Sequence, residues 1–307
     1  MAAVGELDVV WSLPGEDVRA GWRALSWTAR VEGGIAVLLV QERFLERLYG
    51  VWCARERFDG EVVFVSGGGV VQRRTPVFGM DPWVGHFALL PGDRFLLVQG
   101  RTRQGDGGRW EPNAVVHGAD GRGVERAFCV GDDIPALVTD RRGGIWTAYG
   151  DEGIYGHHPE SGAGLAGWSS KGVATWGPAR GLPSQPLEGL TAATERDAVW
   201  LAWYSHEGTY LTRIASATGE FATFRSPERG IDGLAVRGDR AVLTRRDHGE
   251  HTTTLTRAEL ADGTAGTWTV TGRERLRLPG PLRLRCGQGR DGVLWLRAGD
   301  SWVRVGV

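Results

Sequence analysis

The chain has 307 residues, of which 48 are Gly, about 16%, and 14 are Trp. Its 36 basic and 37 acidic residues leave a net charge of −1, which gives no electrostatic footprint for nucleic acid or an anionic surface. The Gly follows no collagen period, and Trp, Leu and Val run throughout, so fibrous and linker-like chains are excluded and the Gly punctuates many short elements.

Three Cys (Cys53, Cys129, Cys286) with no CxxC point to buried thiols, not to a disulfide framework or a Cys-based zinc site. No apolar run reaches 18 residues, and Met1 to Asp17 has no basic segment leading into an apolar one, so the expected location is cytoplasmic, away from membranes. Lys171 is the sole Lys and Asn113 the sole Asn, a bias that fits a GC-rich genome such as an actinobacterium's.

In chain order, short alternating apolar segments are separated by Gly/Asp turns every 8 to 12 residues, the all-β pattern. Gln41 to Leu48 is the best helix candidate, and it is one short piece. A small residue followed by Leu opens a strand at Ala24-Leu25, Ala88-Leu89, Ala136-Leu137, Gly189-Leu190, Gly233-Leu234 and Pro281-Leu282. The Leu spacings are 64, 48, 53, 44 and 48, and joining the ends of the chain gives 50 more. Each such strand (a) is followed by a tight turn and a second strand (b): VEGGIAVLLV at 31–40, PGDRFLLVQ at 91–99, DRRGGIWTAY at 140–149, ERDAVWLAWY at 195–204, RGDRAVLTRR at 237–246 and GRDGVLWLRA at 289–298. Third and fourth strands (c and d) are expected to meet at Gly60, Gly121, Gly172, Gly219 and Gly263.

The last unit has three strands and then ends. Gly5 to Ser12 reads like its missing d strand, and joining both termini in one sheet removes an exposed edge. The expected fold is therefore all-β, a six-bladed β-propeller of four-stranded blades with the N-terminal strand completing the last blade. A single domain over 1–307 is expected, with blades at about 20–66, 84–130, 133–178, 187–225, 230–272 and 280–307 plus 5–13. A sandwich or a solenoid is the alternative; a solenoid would need a shorter repeat.

Thr139 to Gly153 (TDRRGGIWTAYGDEG) resembles the repeat of two-component-regulator and streptogramin-lyase-like propellers, and Gly289 to Leu296 is a looser match. The resemblance covers about two blades. It implies a propeller of the kind often used for sensing or ligand binding, and it carries over no catalytic residue.

Propellers of this kind bind at the channel mouth, on the face built by the d-to-a connections and the b-to-c loops. The d-to-a side supplies Trp22, Arg23, Asp81, Trp83, His86, Asp132, Asp133, Glu188, Asp232 and Arg283; the b-to-c side supplies Arg101 to Glu111, Asp151 to Glu160, His206, Glu207 and Arg246 to His251. Six of seven His (His86, His157, His158, His206, His248, His251) fall on this face, where such a rim can hold a metal or supply acid and base groups. The same concentration follows if this face simply has the longer, more polar loops. Tyr149-Gly-Asp-Glu152-Gly153-Ile-Tyr155 matches Tyr204-Ser-His-Glu207-Gly208-Thr-Tyr210, which makes Glu152, Glu207 and His206 the catalytic candidates, unless both are plain hairpin turns. Asp132, Asp133, Glu188 and Asp232 enter the inner strands of neighbouring blades, and Asp132, Glu188 and Asp232 are candidate ligands for a divalent metal; solvated loop carboxylates are the plainer reading. Loops Ser66–Gly85 and Asp151–Gly167 exceed what hairpins need, and the first carries Trp83 as a stacking platform.

Nucleophile-elbow, zincin, P-loop and dinucleotide motifs are absent. The leading expectation is a non-catalytic propeller without an obligate cofactor, binding a protein partner or small ligand on its top face. The alternative is a metal-assisted hydrolase or lyase using the His/Asp/Glu rim.

Overall fold

Strands with neighbours on both faces must be apolar throughout, whereas strands at an outer edge alternate. The computed structural model follows that rule, and it describes residues 4–48, 51–178, 181–247, 251–261 and 266–307. The elements are almost all strands. They are β1 (Val4–Glu6), β2 (Val9–Ser12), β3 (Trp22–Ala29), β4 (Ile35–Gln41), β5 (Leu45–Leu48), β6 (Val51–Ala54), β7 (Phe58–Val65) and β8 (Val71–Met80). There follow β9 (Val84–Leu90), β10 (Arg94–Gln99), β11 (Ala114–His117), β12 (Val124–Phe128), β13 (Ala136–Thr139), β14 (Ile145–Ala148), β15 (Leu165–Trp168) and β16 (Ala174–Trp176). Then come β17 (Glu188–Glu195), β18 (Ala198–Ser205), β19 (Gly208–Ala215), β20 (Phe221–Arg225), β21 (Gly233–Arg237), β22 (Arg240–Arg246), β23 (Thr252–Leu260) and β24 (Trp268–Arg277). The chain closes with β25 (Leu282–Arg290), β26 (Val293–Ala298) and β27 (Ser301–Gly306). Among the described residues no helix is long and apolar enough to cross a membrane.

The sheets run β3-β4-β7-β8, β9-β10-β11-β12, β13-β14-β15-β16, β17-β18-β19-β20 and β21-β22-β23-β24, with β25-β26-β27-β2 holding both ends of the chain. Strand β2 pairs antiparallel with β27, and β1 pairs parallel with β24, so the N-terminal segment laces two sheets together. The leading strand of each sheet touches the next in a closed circuit: β3, β9, β13, β17, β21, β25 and back to β3. This is the arrangement of a β-propeller.

Apolar clusters fill the wedges between successive sheets. Leu96, Val98 and Val116 meet Ile145, Tyr149 and Trp168 in one wedge, and Trp200 and Phe224 meet Leu234, Leu243 and Trp268 in another. Trp302 lies against Trp11 at 5.0 Å and Trp27 at 6.3 Å between ring centroids, so aromatic area seals the wedge where the circuit closes.

Two features differ from the sequence expectation. Gln41 to Leu48 is not a helix: one 3-10 turn (Glu42–Phe44) leads into β5, which forms a hairpin with β6 inserted between β4 and β7. Gly60 is not a turn either. Strand β7 continues through it, with a register shift between Phe58 and Gly60, and the fourth strand is β8, which occupies half of the segment expected as the long loop 66–85. Strand β8 escaped notice because its outward positions are Gln72, Arg74 and Pro76; a Pro is tolerated there because that side of an outer strand needs no partner. The expected turn at Gly263 lies outside the described residues.

The turn that carries the repeat resemblance is built by one carboxylate. Asp140 accepts from the backbone N–H groups of Arg142 (2.8 Å) and Gly144 (2.9 Å) and from the Trp146 indole (2.8 Å). The looser match does not repeat this, since Asp291 accepts from the turns of other sheets, from the Arg196 N–H (2.8 Å) and Arg141 (2.7 Å).

Two stability tests follow. A Cβ on Gly289 would overlap the Leu234 carbonyl oxygen and crowd Ala193 at 2.8 Å, whereas one on Gly306 meets nothing. Gly289→Ala is expected to cost about 3 kcal/mol or more in denaturant unfolding, with Gly306→Ala near neutral. Asp140→Ala strands three donors, one of them a buried indole, and is expected to cost about 2–4 kcal/mol by the same measurement.

Candidate functional site

The six-strand circuit encloses an axial space, and the chain closes one end of it. Arg290, on β25, sends its Nη2 to the Thr139 carbonyl on β13 (2.7 Å), a strand that is not its neighbour in the circuit. At the same end Asp291 binds Arg141 and the Arg196 N–H. Higher up, the Gln288 amide spans to β3, donating to the Trp27 carbonyl (3.1 Å) and accepting from the Ala29 N–H (2.9 Å). Above these plugs lies a cavity of about 330 Å³ lined by residues of β3, β9 and β25 and by Ile134 and Pro135 at the entry to β13.

Its chemistry is set by a break in β25. Leu282 pairs with Ala298 and the next pair is Gly287 with Leu296, so four residues oppose one and leave the ladder. Arg285 sits at φ +57° within that bulge. Asp232 holds the bulge in place: its carboxylate accepts from the Arg285 N–H (3.1 Å) and the Arg246 N–H (2.9 Å), and its carbonyl accepts from the Gly287 N–H (2.9 Å). The bulge directs Arg283 and Arg285 to the cavity wall, beside Arg297 and His86. Arg297 is fixed by bonds to the Ala24 (2.8 Å) and Gly299 (2.9 Å) carbonyls. Burial pulls Arg290 and Arg297 down to about 10, and Arg283 below its ordinary value too, with Arg47 adding to the effect on Arg283 and Asp300 opposing it.

The carboxylates singled out from the sequence are engaged elsewhere. Asp132 accepts from the Thr102 N–H (2.8 Å) and from Arg101 Nε (3.0 Å). Asp133, at φ +53°, accepts from the Glu152 N–H (3.1 Å). Glu188 pairs with Arg285, and Asp232 anchors the bulge. Among the described residues no three His, Cys, Asp or Glu groups come together as a metal site. Asp132, Glu188 and Asp232, the expected centre, each take an Arg or backbone donor: Arg101, Arg285 and the Arg246 and Arg285 N–H groups respectively.

The matched turns also part ways. His206 and Glu207 form a tight hairpin tip between β18 and β19, with Gly208 at φ +145°. Asp151–Ile154 instead makes one helical turn, because Asp133 binds its N-terminus and Gly153 packs on the Asp132 carbonyl. Glu152 pairs with Arg101, and Glu207 accepts from the Tyr210 hydroxyl at 3.3 Å. Glu152, Glu207 and His206 sit on different turns with different partners.

The rest of the expected rim divides. Trp83 is 51% exposed at φ +64°, and His157 is exposed. Trp22 is half-buried, and Arg23 is held by the Val18 and Trp22 carbonyls and by Glu42. His86 Nε2 lies 2.6 Å from the Ile134 carbonyl on the cavity wall. His158 is buried between Trp110 and Trp168 and takes the Cys129 thiol at 3.4 Å. His248 lies outside the described residues.

Sequence reasoning missed Arg285, Arg297, Gln288 and Cys129. A signal existed for the first: β25 carries Arg at 283, 285 and 290, whereas each of the other inner strands carries at most one Arg.

No protein-family model matches the chain, and a search of curated proteins returns no match. Among solved structures it is similar to a functionally unknown protein from Desulfotomaculum acetoxidans, with 9% identity over 91% of this chain and 80% of that one and a TM-score of 0.52. It is also similar to a putative oxidoreductase (glucose dehydrogenase) from Thermus thermophilus, with 16% identity, 98% and 97% coverage and a TM-score of 0.49. A third is the Dos1 propeller, with 7% identity, 92% and 91% coverage and a TM-score of 0.49. Identities this low speak to fold alone.

Burial lowers the proton affinity of three imidazoles. It acts on His86 together with Arg285, on His117 against the pull of Asp81, and on His158 against Glu160 and Asp132. Each takes its proton at lower pH folded than unfolded, so the unfolded chain binds more protons in between. Their contribution is complete above about pH 6.5 and is lost as pH falls through the folded values. The urea midpoint is expected to drop between pH 7.5 and 5.5, and His158→Phe to flatten that drop.

Proposed function

We propose that the chain is a non-catalytic, six-bladed propeller whose open channel mouth takes a protein partner or a small ligand. The circuit of six inner strands, five runs of four paired strands and the sharing of both termini in one more support the blade count. The observation that carries the function is the blind cup. Bonds from Arg290 and Asp291 close one end of the axis, so whatever enters comes from the face of the d-to-a and b-to-c loops. Concave, largely preformed sites with a few convergent polar groups are where ligands bind. Exposed Trp83 in a left-handed backbone conformation adds an anchor at the same rim, where strain is retained for use. The two-blade resemblance to two-component-regulator repeats points the same way, toward sensing or ligand binding.

The engagement of Asp132, Glu188 and Asp232 by Arg and backbone donors weighs against the metal-assisted hydrolase or lyase reading. Hydrogen exchange on the protein mixed with host lysate fractions that it retains tests the proposal. Protection is expected at 81–86, 206–207 and 283–287. Protection confined to the a–b turns at the plugged end, or substrate turnover abolished by a Glu152/His206/Glu207 triple alanine variant, overturns it.

A further inference from the structure

Cations crowded on one cavity wall repel each other, and an anion completes the set. The axial cavity is lined by Arg283, Arg285, Arg297 and His86, with no carboxylate on its wall. Arg283 makes no hydrogen bond or ion pair among the described residues. Its guanidinium is disfavoured by burial and by Arg47, and Asp300 offsets this only in part. Arg285 gives one Nη to Glu188, and its Nε is buried without a partner. Arg297 has its bonds to carbonyls and pairs with Asp300 at 3.5 Å, so its charge is balanced in part.

We infer that this cavity is a binding site for a small ligand bearing a phosphate or carboxylate group, seated against Arg283 and Arg285. The inference rests on the channel mouth being the binding face, and it names the chemistry that face selects. Guanidinium groups present planar forks of donors that match both oxyanions. Ser26, on the wall, offers a hydroxyl for the body of such a ligand. A volume of about 330 Å³ is at the small end of ligand cavities, so the ligand is of metabolite size. The plugs below give it one route in. The bulge that aims Arg283 and Arg285 holds Arg285 at φ +57°, a conformation the backbone adopts only when its surroundings impose it.

Phosphate, pyrophosphate and citrate, titrated at low ionic strength with melting temperature and calorimetry as readouts, test the site. The wild type is expected to gain roughly 2 °C or more with at least one of the three. Arg283→Met keeps the aliphatic stem and removes a repelled charge. It is expected to melt at or above the ligand-free wild type while its affinity falls about tenfold or more. Arg283→Lys, which keeps the charge and loses the fork, is expected to fall in between. A wild type that ignores all three anions overturns the site, as does an Arg283→Met protein that keeps wild-type affinity. Either result leaves the exchange experiment on the channel mouth standing, so failure here is separable from failure of the binding-face reading.

Discussion

The close approach of the inner strands at the axis is the constraint on which the structure depends. Gly287 and Gly233 meet with no side chain between them, and Gly289 lies against Leu234, Ala235 and Ala193. Strands β17 and β25 come near enough to pair directly at Ala193–Gly289 and Thr194–Arg290. Any Cβ at these glycines would push the strands apart and open the wedges behind them, where Trp200, Trp203 and Trp302 are buried. The packing radius is thus set by backbone contact at the centre and filled by aromatic volume outside it. One end of the axis is then so narrow that Arg290 reaches across it to β13, and Gln288 ties β25 to the neighbouring β3.

The other end stays wide because β25 leaves its ladder there. A bulge of this kind re-aims side chains at the cost of pairing, and here the lost backbone partners are replaced by Asp232, which serves two N–H groups with its carboxylate and a third with its carbonyl. Positive φ in non-Gly residues occurs at both ends among the described residues: at Trp83, Asp133 and Arg285 on the mouth side, and at Asp93, Arg196 and Asp291 in the a–b turns. The misaligned strand lies at the mouth, and the plugged end is held by hairpin turns and the Arg290 bond across the axis.

The sequence was most legible where a rule of period applies. Strands such as β4, β10, β18 and β26, apolar along most of their length, and their Gly/Asp turns are visible as patterns because both faces are covered by neighbouring sheets. Strand β8 was hidden because Arg, Gln and Pro on its outward side mimic a loop. The β5–β6 hairpin was hidden because Glu42 to Leu48 carries helix-compatible spacing and its two strands pair only with each other. The site was less legible still. Nothing in residue order says that Asp132 meets Arg101, that Glu188 meets Arg285, or that Glu152 and Glu207, placed alike in matching words, end on a helical turn and a hairpin tip. Those outcomes depend on which donor a carboxylate reaches first, a tertiary fact. Arg283, one of the residues singled out beforehand, does line the cavity, and its neighbour Arg285 carried the same signal: charges alternating with Leu in a strand that should be small and apolar.

The sign of the site follows from that competition. A rim rich in Asp, Glu and His reads from sequence as a place for cations. Folding commits its carboxylates to Arg side chains and backbone N–H groups, and burial holds His86 and His158 toward the neutral form. Arg cannot retreat in the same way, because even a depressed guanidinium stays protonated at neutral pH. What is left facing the axial space is therefore the residue type least able to neutralise itself. The chain as a whole is nearly balanced in charge, yet its cavity wall is not, and local imbalance of this kind is a property of where β25 breaks and not of composition. The same step that satisfies Asp232 delivers Arg283 and Arg285 to the cavity, so the bulge converts a rim of acids into a cup of cations.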